Sequence, residues 1–138
     1  LARLNAVRQN LLAGGVVRLF EGTDGFAHGE QRRDFIHVDD AVAANLFFLD
    51  APAVQGIFNV GTGGSRSFNE VARAAIAILG HGRIEYVPFP AALEGRYQSF
   101  TEADLRQLRE AGFDRPCKDL RQGIEESLPA WRAFGEST

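Results

Sequence analysis

Hydrophobic positions recur at helical spacing in several stretches of the chain. In the first, residues 1–13, the leucine and valine side chains share one face, and Gly14 and Gly15 follow as a stop. The second, DDAVAANLFFLDA at 39–51, opens with two aspartates, which the partial positive charge of a helix start favours. Apolar residues surround most of this segment, so we expect a helix that is buried on two sides.

Three further helices carry signals at their boundaries. Ser67 and Glu70 form an S-x-x-E capping box ahead of an alanine-rich stretch. The stretch FTEADLRQLREAGF repeats this logic, with Thr101 as the predicted N-cap. The last helix is predicted to begin near Asp119, and Pro129 is expected to kink or split it.

Short apolar runs between the helices predict strands. These runs are VVRLFEG at 16–22, DFIHV at 34–38, GIFNVG at 56–61 and RIEYVPFP at 83–90. The third is continuous and bounded by glycines, which is typical of a buried parallel strand. The prolines restrict the last one to a sheet edge or end it, and the polar segment 23–33 is a loop. Helices and strands alternate throughout, which indicates an α/β fold and one domain over residues 1–138.

The composition of the chain is that of a globular protein and argues against several other classes. With 138 residues, 45% hydrophobic residues and a net charge of −3, the chain has the balance of an ordinary globular domain, with no electrostatic reason to expect nucleic acid or an anionic membrane as partner. The single cysteine, Cys117, excludes an internal disulfide and fits a reducing, cytoplasmic compartment. No apolar run is long enough to span a membrane, and no signal-peptide pattern is present. The chain contains no methionine and begins at Leu1 inside a predicted helix, which we interpret as a segment of a longer polypeptide.

Two adjacent arginines stand out before the strand predicted at 34–38. The guanidinium groups of Arg32 and Arg33 present a planar fork of donors that matches phosphate oxygens. The alternative is a surface arginine, or one paired with Asp34 or Glu30. The residues alone leave both open.

Other polar patterns favour structural roles over chemistry. GTGG at 61–64 resembles a phosphate loop, but Arg66 stands where a dinucleotide-binding pattern requires glycine, so a tight turn is favoured. His37 lies in an apolar run, which is typical of a core histidine, and none of the three histidines shows metal-ligand spacing, so we expect no metal site. Asp39 and Asp40 would point about 100° apart on a helix, which favours helix capping over a shared proton.

Loop residues beside strand ends are the remaining candidates. Tyr97 lies in LEGRYQSF, between a proline-stopped strand and a capped helix, where ligand-binding residues concentrate. It either presents a hydroxyl or a ring face to a ligand or packs on the last helix. Phe20 and Glu21 offer an apolar face and carboxylate oxygens, which suit a polar ring with hydroxyls better than a bare anion.

Three runs of the chain resemble one family. LFEG at 19–22, GEQRRDF at 29–35 and GRYQSFTEADL at 95–105 are similar to the C-terminal part of the ADP-L-glycero-D-manno-heptose 6-epimerases. RDFIHV and FNVGTG are shared more widely, across the extended short-chain dehydrogenases/reductases. The resemblance covers residues 16–134. It implies the C-terminal, substrate-binding portion of such an enzyme, without the N-terminal Rossmann phosphate loop.

The resemblance implies a redox epimerisation in the parent enzyme. A tightly held NADP would serve oxidation and then reduction at C6 of ADP-heptose, for the inner core of lipopolysaccharide. Such an enzyme needs a Rossmann phosphate loop and a Tyr-x-x-x-Lys pair. Neither is present, because Lys118 is the only lysine and the fourth residues after Tyr86 and Tyr97 are Pro90 and Thr101. We therefore expect the chain as given to lack catalysis, with no cofactor-binding residue assigned to it and the NADP of the parent enzyme bound mainly by its N-terminal domain.

The resemblance also assigns substrate contacts. The matching positions are Phe20, Glu21, Gly22, Thr23, Arg33 and Tyr97. From these contacts we infer Arg33 on the diphosphate of the ADP-heptose with Tyr97 near it. The resemblance also implies a homo-oligomer for the full-length enzyme. Two other functions stay open, namely a non-catalytic sugar-nucleotide-binding or assembly module and the same portion of another nucleotide-sugar epimerase or dehydratase. The chain would fail to fold alone if a further domain supplied one face of the segments at 39–50 and 57–60.

Overall fold

The computed structural model describes residues 15–135, so the helix predicted at 1–13 lies outside the described residues. The described elements are the strands β1 (Val16–Phe20), β2 (Arg32–Arg33), β3 (Arg66–Ser67) and β4 (Arg83–Val87), the helices α1 (Val38–Asp50), α2 (Phe68–Leu79), α3 (Arg106–Glu110) and α4 (Leu120–Gly135), and a 3-10 turn at Ala91–Leu93. The α/β class is confirmed. Within these residues no helix combines the length and the apolar character that crossing a membrane requires.

The main sheet pairs the two longer strands. β1 and β4 are parallel, with Val16 opposite Arg83 and Phe20 opposite Val87. Such a pair needs a crossover connection, and α2 lies within it. β4 ends immediately before Pro88, as the sequence predicts.

The core lies where this sheet meets two helices. Val17 and Leu19 of β1 are buried against Ala72 and Ala75 of α2 and Ile124 of α4. Alternate residues of a strand face the same side, so burial of positions 17 and 19 fixes which face of β1 is turned to the helices. The carboxyl end of β1 is thereby held rigidly, and the loop that follows it starts from a fixed point.

The start of α2 follows the sequence signal. The Ser67 hydroxyl accepts a hydrogen bond from the Glu70 N–H at 3.2 Å, and the Glu70 carboxylate accepts one from the Ser67 N–H at 2.7 Å. This reciprocal capping box satisfies two amides that the helix itself cannot bond. Gly80 ends the helix in the left-handed conformation, with φ of 77°.

The predicted strand at 34–38 is wrong. Only Arg32–Arg33 forms a strand, antiparallel to Arg66–Ser67, and α1 already begins at Val38. His37 is the N-cap, since its Nδ1 accepts from the Asp39 N–H at 3.2 Å, so neither Asp39 nor Asp40 holds the cap position predicted for them. A strand needs a hydrogen-bonding neighbour, and none of the described strands runs beside this segment.

The predicted buried strand at 56–61 is also wrong. The segment is irregular, and Ile57 is 93% exposed. An apolar run forms a buried strand only where neighbouring strands bond to it, and none of the described strands lies beside this segment.

The helix predicted from Thr101 starts later. α3 begins at Arg106, because amides before it are bonded to another segment: Thr101 N–H donates to Arg32 O and Ala103 N–H donates to the Asp34 carboxylate. These bonds use amides that a helix start would leave free. The expected split at Pro129 does not occur, since α4 runs through it.

One face of α1 departs from the expectation that this helix is buried on two sides. Phe47 and Phe48 pack against Phe113 and Phe58. The opposite face carries four exposed apolar residues, spaced three to four positions apart. They are Val38 (66% exposed), Val42 (47%), Leu46 (53%) and Leu49 (74%). Such a continuous apolar stripe is uncommon on the free surface of a protein.

Candidate functional site

The loop that follows β1 is held at both ends. Glu21 N–H donates to Val87 O at 2.9 Å, which extends the pairing with β4 by one bond. Gly29 N–H returns to Phe20 O at 3.0 Å, and the buried amide of Gln31 donates to Glu21 O at 3.0 Å. The candidate residues at 20–23 therefore occupy the first half of a closed, bonded loop.

Within this loop, Gly22 has a steric reason to be glycine. A Cβ at this position would lie 2.0 Å from the carbonyl oxygen of Phe26. The Gly22 N–H donates to His28 Nδ1 at 2.9 Å, and Phe26 N–H donates to Thr23 O at 3.0 Å. The tight return of the chain requires a residue without a side chain here.

The two adjacent arginines have different environments. Arg32 donates from Nε to Ser65 Oγ at 3.1 Å and from Nη2 to Ser65 O at 2.6 Å, and it lies 3.7 Å from Glu70. The Arg32 guanidinium therefore binds the segment just before β3, through Ser65, and the first turn of α2, through Glu70. Successive residues of a strand point to opposite faces, which turns Arg33 the other way.

Arg33 faces an aromatic ring. Its guanidinium carbon lies 4.8 Å from the centroid of the Tyr97 ring, and its Nη1 donates to Arg32 O at 2.8 Å. None of the acidic side chains in the described part of the chain forms an ion pair with it, so the pairing with Asp34 or Glu30 considered above does not occur. An arginine stacked on a ring keeps most of its donors available for an anion.

Two further aromatic rings pack around Tyr97. Phe20 lies 5.4 Å from Phe89 and 6.5 Å from Tyr97, and Phe89 lies 5.4 Å from Tyr97, all edge to face. Tyr97 therefore packs here and not on the last helix. We call Phe20, Arg33, Phe89 and Tyr97 the Arg33 cluster.

The backbone around Tyr97 is bonded to both neighbouring segments. Arg32 N–H donates to Ser99 O at 2.9 Å, and the Ser99 hydroxyl donates to the Asp24 carboxylate at 2.5 Å. The second bond joins the Tyr97 segment directly to the loop that carries residues 20–23. The structure thus brings Phe20, Arg33 and Tyr97 into contact and places Glu21, Gly22 and Thr23 on the adjoining loop.

Some residues of this region were not identified from the sequence. Phe89 lies between two prolines after β4. The sequence did offer a signal for it, namely an apolar ring at the end of a strand and beside a candidate loop. The sequence offered no signal for Asp24 or Ser99. Both residue types are common in turns, and the two lie 75 positions apart in the chain.

The GTGG turn serves a structural purpose. The Asp34 carboxylate accepts from Thr62 N–H and Oγ, Gly63 N–H and Ala103 N–H, at 2.6 to 3.1 Å. The Thr62 and Gly63 amides are therefore already bonded and are not available to a phosphate. Burial raises the pKa of Asp34, but the hydrogen bonds from Thr62, Ala103 and Gly63 outweigh this and hold the pKa below its ordinary value.

This lowered pKa predicts a pH dependence of stability. The bonds of Asp34 stabilise the fold fully above its unfolded pKa of ~3.9 and are lost as pH falls through the lower folded pKa. In Asp34→Asn an amide NH₂ faces the N–H groups of Gly63 and Ala103, so we expect a loss of about 1–2 kcal/mol at pH 7 and a flatter decline below pH ~4. Urea unfolding at both pH values measures this, with exposed Asp50→Asn as control. Equal losses for the two variants would contradict it.

A group of three possible metal ligands lies elsewhere, around Lys118. His37, Asp39 and Glu126 present atoms within 4.8 Å of one another. The Lys118 ammonium lies among them, 2.6 Å from Asp39 and 2.5 Å from Glu126. Its hydrogen bonds lower the pKa of both carboxyls, and they in turn raise the pKa of Lys118. A cation is thus already supplied by the chain itself.

The fold is similar to that of a known class of protein. The α/β architecture matches that of nucleotide-sugar epimerases and dehydratases of the extended short-chain dehydrogenase/reductase type, and the family model described as "NAD dependent epimerase/dehydratase family" matches residues 2–61. The UDP-Glc/GlcNAc 4-epimerase of Campylobacter jejuni is similar, with a TM-score of 0.74 and 27% identity over 94% of this chain and 40% of that one.

Within this class, the chain is similar to one particular enzyme. It is 55% identical over 122 residues to the curated ADP-L-glycero-D-manno-heptose-6-epimerase of Alkalilimnicola ehrlichii, which is 88% of this chain and 38% of the relative. The crystal structure of the Helicobacter pylori enzyme of the same name has a TM-score of 0.73 and 28% identity, over 94% of this chain and 37% of that one. The resemblance found in the sequence is confirmed. The chain spans about two fifths of the length of these relatives.

Proposed function

We propose that residues 1–138 are the substrate-binding portion of an ADP-L-glycero-D-manno-heptose 6-epimerase. The identity of 55% with such an enzyme supports this over another nucleotide-sugar epimerase. The parent enzyme would interconvert ADP-D-glycero- and ADP-L-glycero-D-manno-heptose by NADP-dependent oxidation and reduction at C6. It would act in the cytoplasm, as a homo-oligomer, in synthesis of the lipopolysaccharide core.

The Arg33 cluster carries this proposal. Arg33 lies over the Tyr97 ring with no acidic partner among the described residues, which suits a site for the diphosphate of a nucleotide sugar. Phe20 and Tyr97 supply ring faces and a hydroxyl beside it, and the loop Glu21–Thr23 supplies polar groups for the sugar. Together they can bind and orient an anionic sugar nucleotide and exclude water from one side of it.

The described residues do not fit the dinucleotide cofactor. In the turn at 61–64 the Thr62 and Gly63 amides are bonded to Asp34 and the Gly64 amide to the Thr62 hydroxyl, and Lys118, the only lysine, is bonded to two carboxylates. These residues therefore supply no phosphate loop and no free lysine for cofactor chemistry. Mixed with NADP and ADP-heptose, the chain alone is expected to give no epimerisation.

A calorimetric titration with nucleotide sugars tests the proposed function. We expect saturable binding of ADP-mannose, a stable analogue with the same diphosphate and adenine, and at least tenfold weaker binding of UDP-glucose. Equal or stronger binding of UDP-glucose would favour another nucleotide-sugar epimerase. Absence of binding to either would contradict a binding function for the chain alone.

Substitutions at Tyr97 test how the cluster works. Tyr97→Phe keeps the ring under Arg33, so we expect the affinity for ADP-mannose to change by less than about threefold. Tyr97→Leu removes the cation–π contact, which is worth roughly 0.5–1 kcal/mol, and lowers the affinity about two- to fivefold. If the ring acts by holding Arg33, the effects of Tyr97→Leu and Arg33→Ala are not additive in calorimetry. Additive effects would mean that each side chain contacts the ligand independently.

A further inference from the structure

Asn69, the second residue of α2, is bonded to the loop that carries the candidate site. The residue is 2% exposed. The amide Nδ2 donates to His28 O at 2.8 Å and to the Glu30 carboxylate at 2.6 Å, and Oδ1 accepts from the Tyr86 hydroxyl at 2.9 Å. Its backbone N–H donates to Gly29 O at 3.0 Å. One residue thus joins α2, the loop and β4.

The contact between Asn69 and the loop is close. Gly29 has a φ of +68°, and a Cβ there would lie 2.6 Å from the Asn69 Oδ1. A side chain at Gly29 would displace the Asn69 amide, so glycine in the loop leaves the space that the Asn69 side chain occupies. A helix start that faced only solvent would not require a glycine in the loop.

From Asn69 the network continues to the candidate site. His28, whose carbonyl Asn69 holds, accepts the Gly22 N–H on its ring Nδ1 at 2.9 Å. The His28 ring also lies 5.5 Å from the Tyr86 ring, and the Tyr86 hydroxyl is bonded to Asn69. The position of Gly22, between Glu21 and Thr23, is therefore linked to Asn69 through one intervening residue.

We propose that Asn69 is a positioning residue for the binding loop Phe20–Thr23. The assignment of the ligand depends on the proposed function, whereas the assignment of Asn69 to the loop depends on the bonds above. Asn69 does not touch the ligand; it holds the loop in one conformation before binding, which removes an ordering cost from the binding step. An amide is required, because it donates both N–H groups to the loop and accepts from Tyr86 at the same time.

Three variants separate positioning from a general contribution to stability. Asn69→Ala removes all three side-chain bonds, and Asn69→Asp places a second carboxylate beside Glu30. Asn45→Ala is the matched control, since the exposed amide of Asn45 bonds to Ala41 O within α1 and to no other of the described residues. Hydrogen exchange of the Gly22, Gly29 and Leu19 amides is measured by NMR, and ADP-mannose binding by calorimetry.

We expect the Gly22 and Gly29 amides to exchange about tenfold faster in Asn69→Ala, while Leu19 in β1 changes less than twofold. The affinity for ADP-mannose falls about fivefold in Asn69→Ala and further in Asn69→Asp, and Asn45→Ala matches the unmodified chain. Equal acceleration at all three amides, or none, overturns the proposal, as does unchanged affinity in a chain that binds ADP-mannose. Where the unmodified chain binds no nucleotide sugar, the proposed function fails, and amide exchange alone decides the role of Asn69.

Discussion

Replacing Arg33 by alanine is expected to weaken ADP-mannose binding by about 10- to 100-fold. A charge-assisted hydrogen bond is worth roughly 1.5–3 kcal/mol, and each 1.4 kcal/mol changes a dissociation constant about tenfold. The Arg33 guanidinium lies over the Tyr97 ring and donates one hydrogen bond to Arg32 O. Its remaining N–H groups can therefore donate to a diphosphate. Isothermal calorimetry of the variant measures the loss.

Two further variants make this test specific to the site. Arg33→Lys keeps the charge but loses the planar fork and the stacking on Tyr97, so we expect an intermediate affinity. Arg121→Ala is the matched control, because Arg121 is exposed and paired with Glu125 on α4, away from the cluster. If Arg33→Ala binds ADP-mannose as the unmodified chain does, Arg33 is not the phosphate ligand.

The sequence predicts the elements whose signals are local. β1, α2 and β4 lie where expected, because a capping box, a terminal glycine and a proline act within a few residues. The predictions at 34–38 and 56–61 were wrong because a strand depends on partners distant in sequence. The start of α3 was misplaced for the same reason: the amide of Thr101 is bonded to Arg32, 69 positions earlier.

The candidate site shows the same division. The residue pattern leaves Arg32 and Arg33 equivalent, and only the resemblance favoured Arg33. The structure separates them through the fold, since Ser65 and Glu70 occupy the guanidinium of Arg32 while Tyr97 faces Arg33. Phe89 and Asn69 were missed because their importance arises from neighbours that no local pattern reveals.

The exposed face of α1 bears on how the chain behaves in these experiments. Its apolar stripe, Val38 to Leu49, is covered by none of the described residues, and the relatives are more than twice as long as this chain. The Arg33 cluster, in contrast, is built from β1, β2 and the segment 89–101, all within the described residues. Binding measurements on the chain therefore test a site whose four named side chains all lie in this chain.

Replacing Gly22 by alanine is expected to destabilise the binding loop strongly. The new Cβ would lie 2.0 Å from Phe26 O, a backbone atom that cannot rotate away, so the loop itself must move. Overpacking of this kind costs about 1–3 kcal/mol, or roughly 3–10 °C in the midpoint of thermal unfolding for a domain of this size. The same movement breaks the bond from Gly22 N–H to His28, so ADP-mannose binding should weaken as well.

Gly64→Ala provides the control for this substitution. A Cβ at Gly64 would meet nothing nearer than the Thr62 hydroxyl at 4.0 Å, so its expected effect on stability is below about 0.5 kcal/mol. Thermal unfolding followed by circular dichroism compares the two variants, and calorimetry compares their affinities. A shift confined to Gly22→Ala means that the close return of the chain at Phe26 shapes the loop and the ligand site together. Equal shifts, with unchanged affinity in both, would show that the loop tolerates a side chain at Gly22 and that its tight turn is not needed for binding.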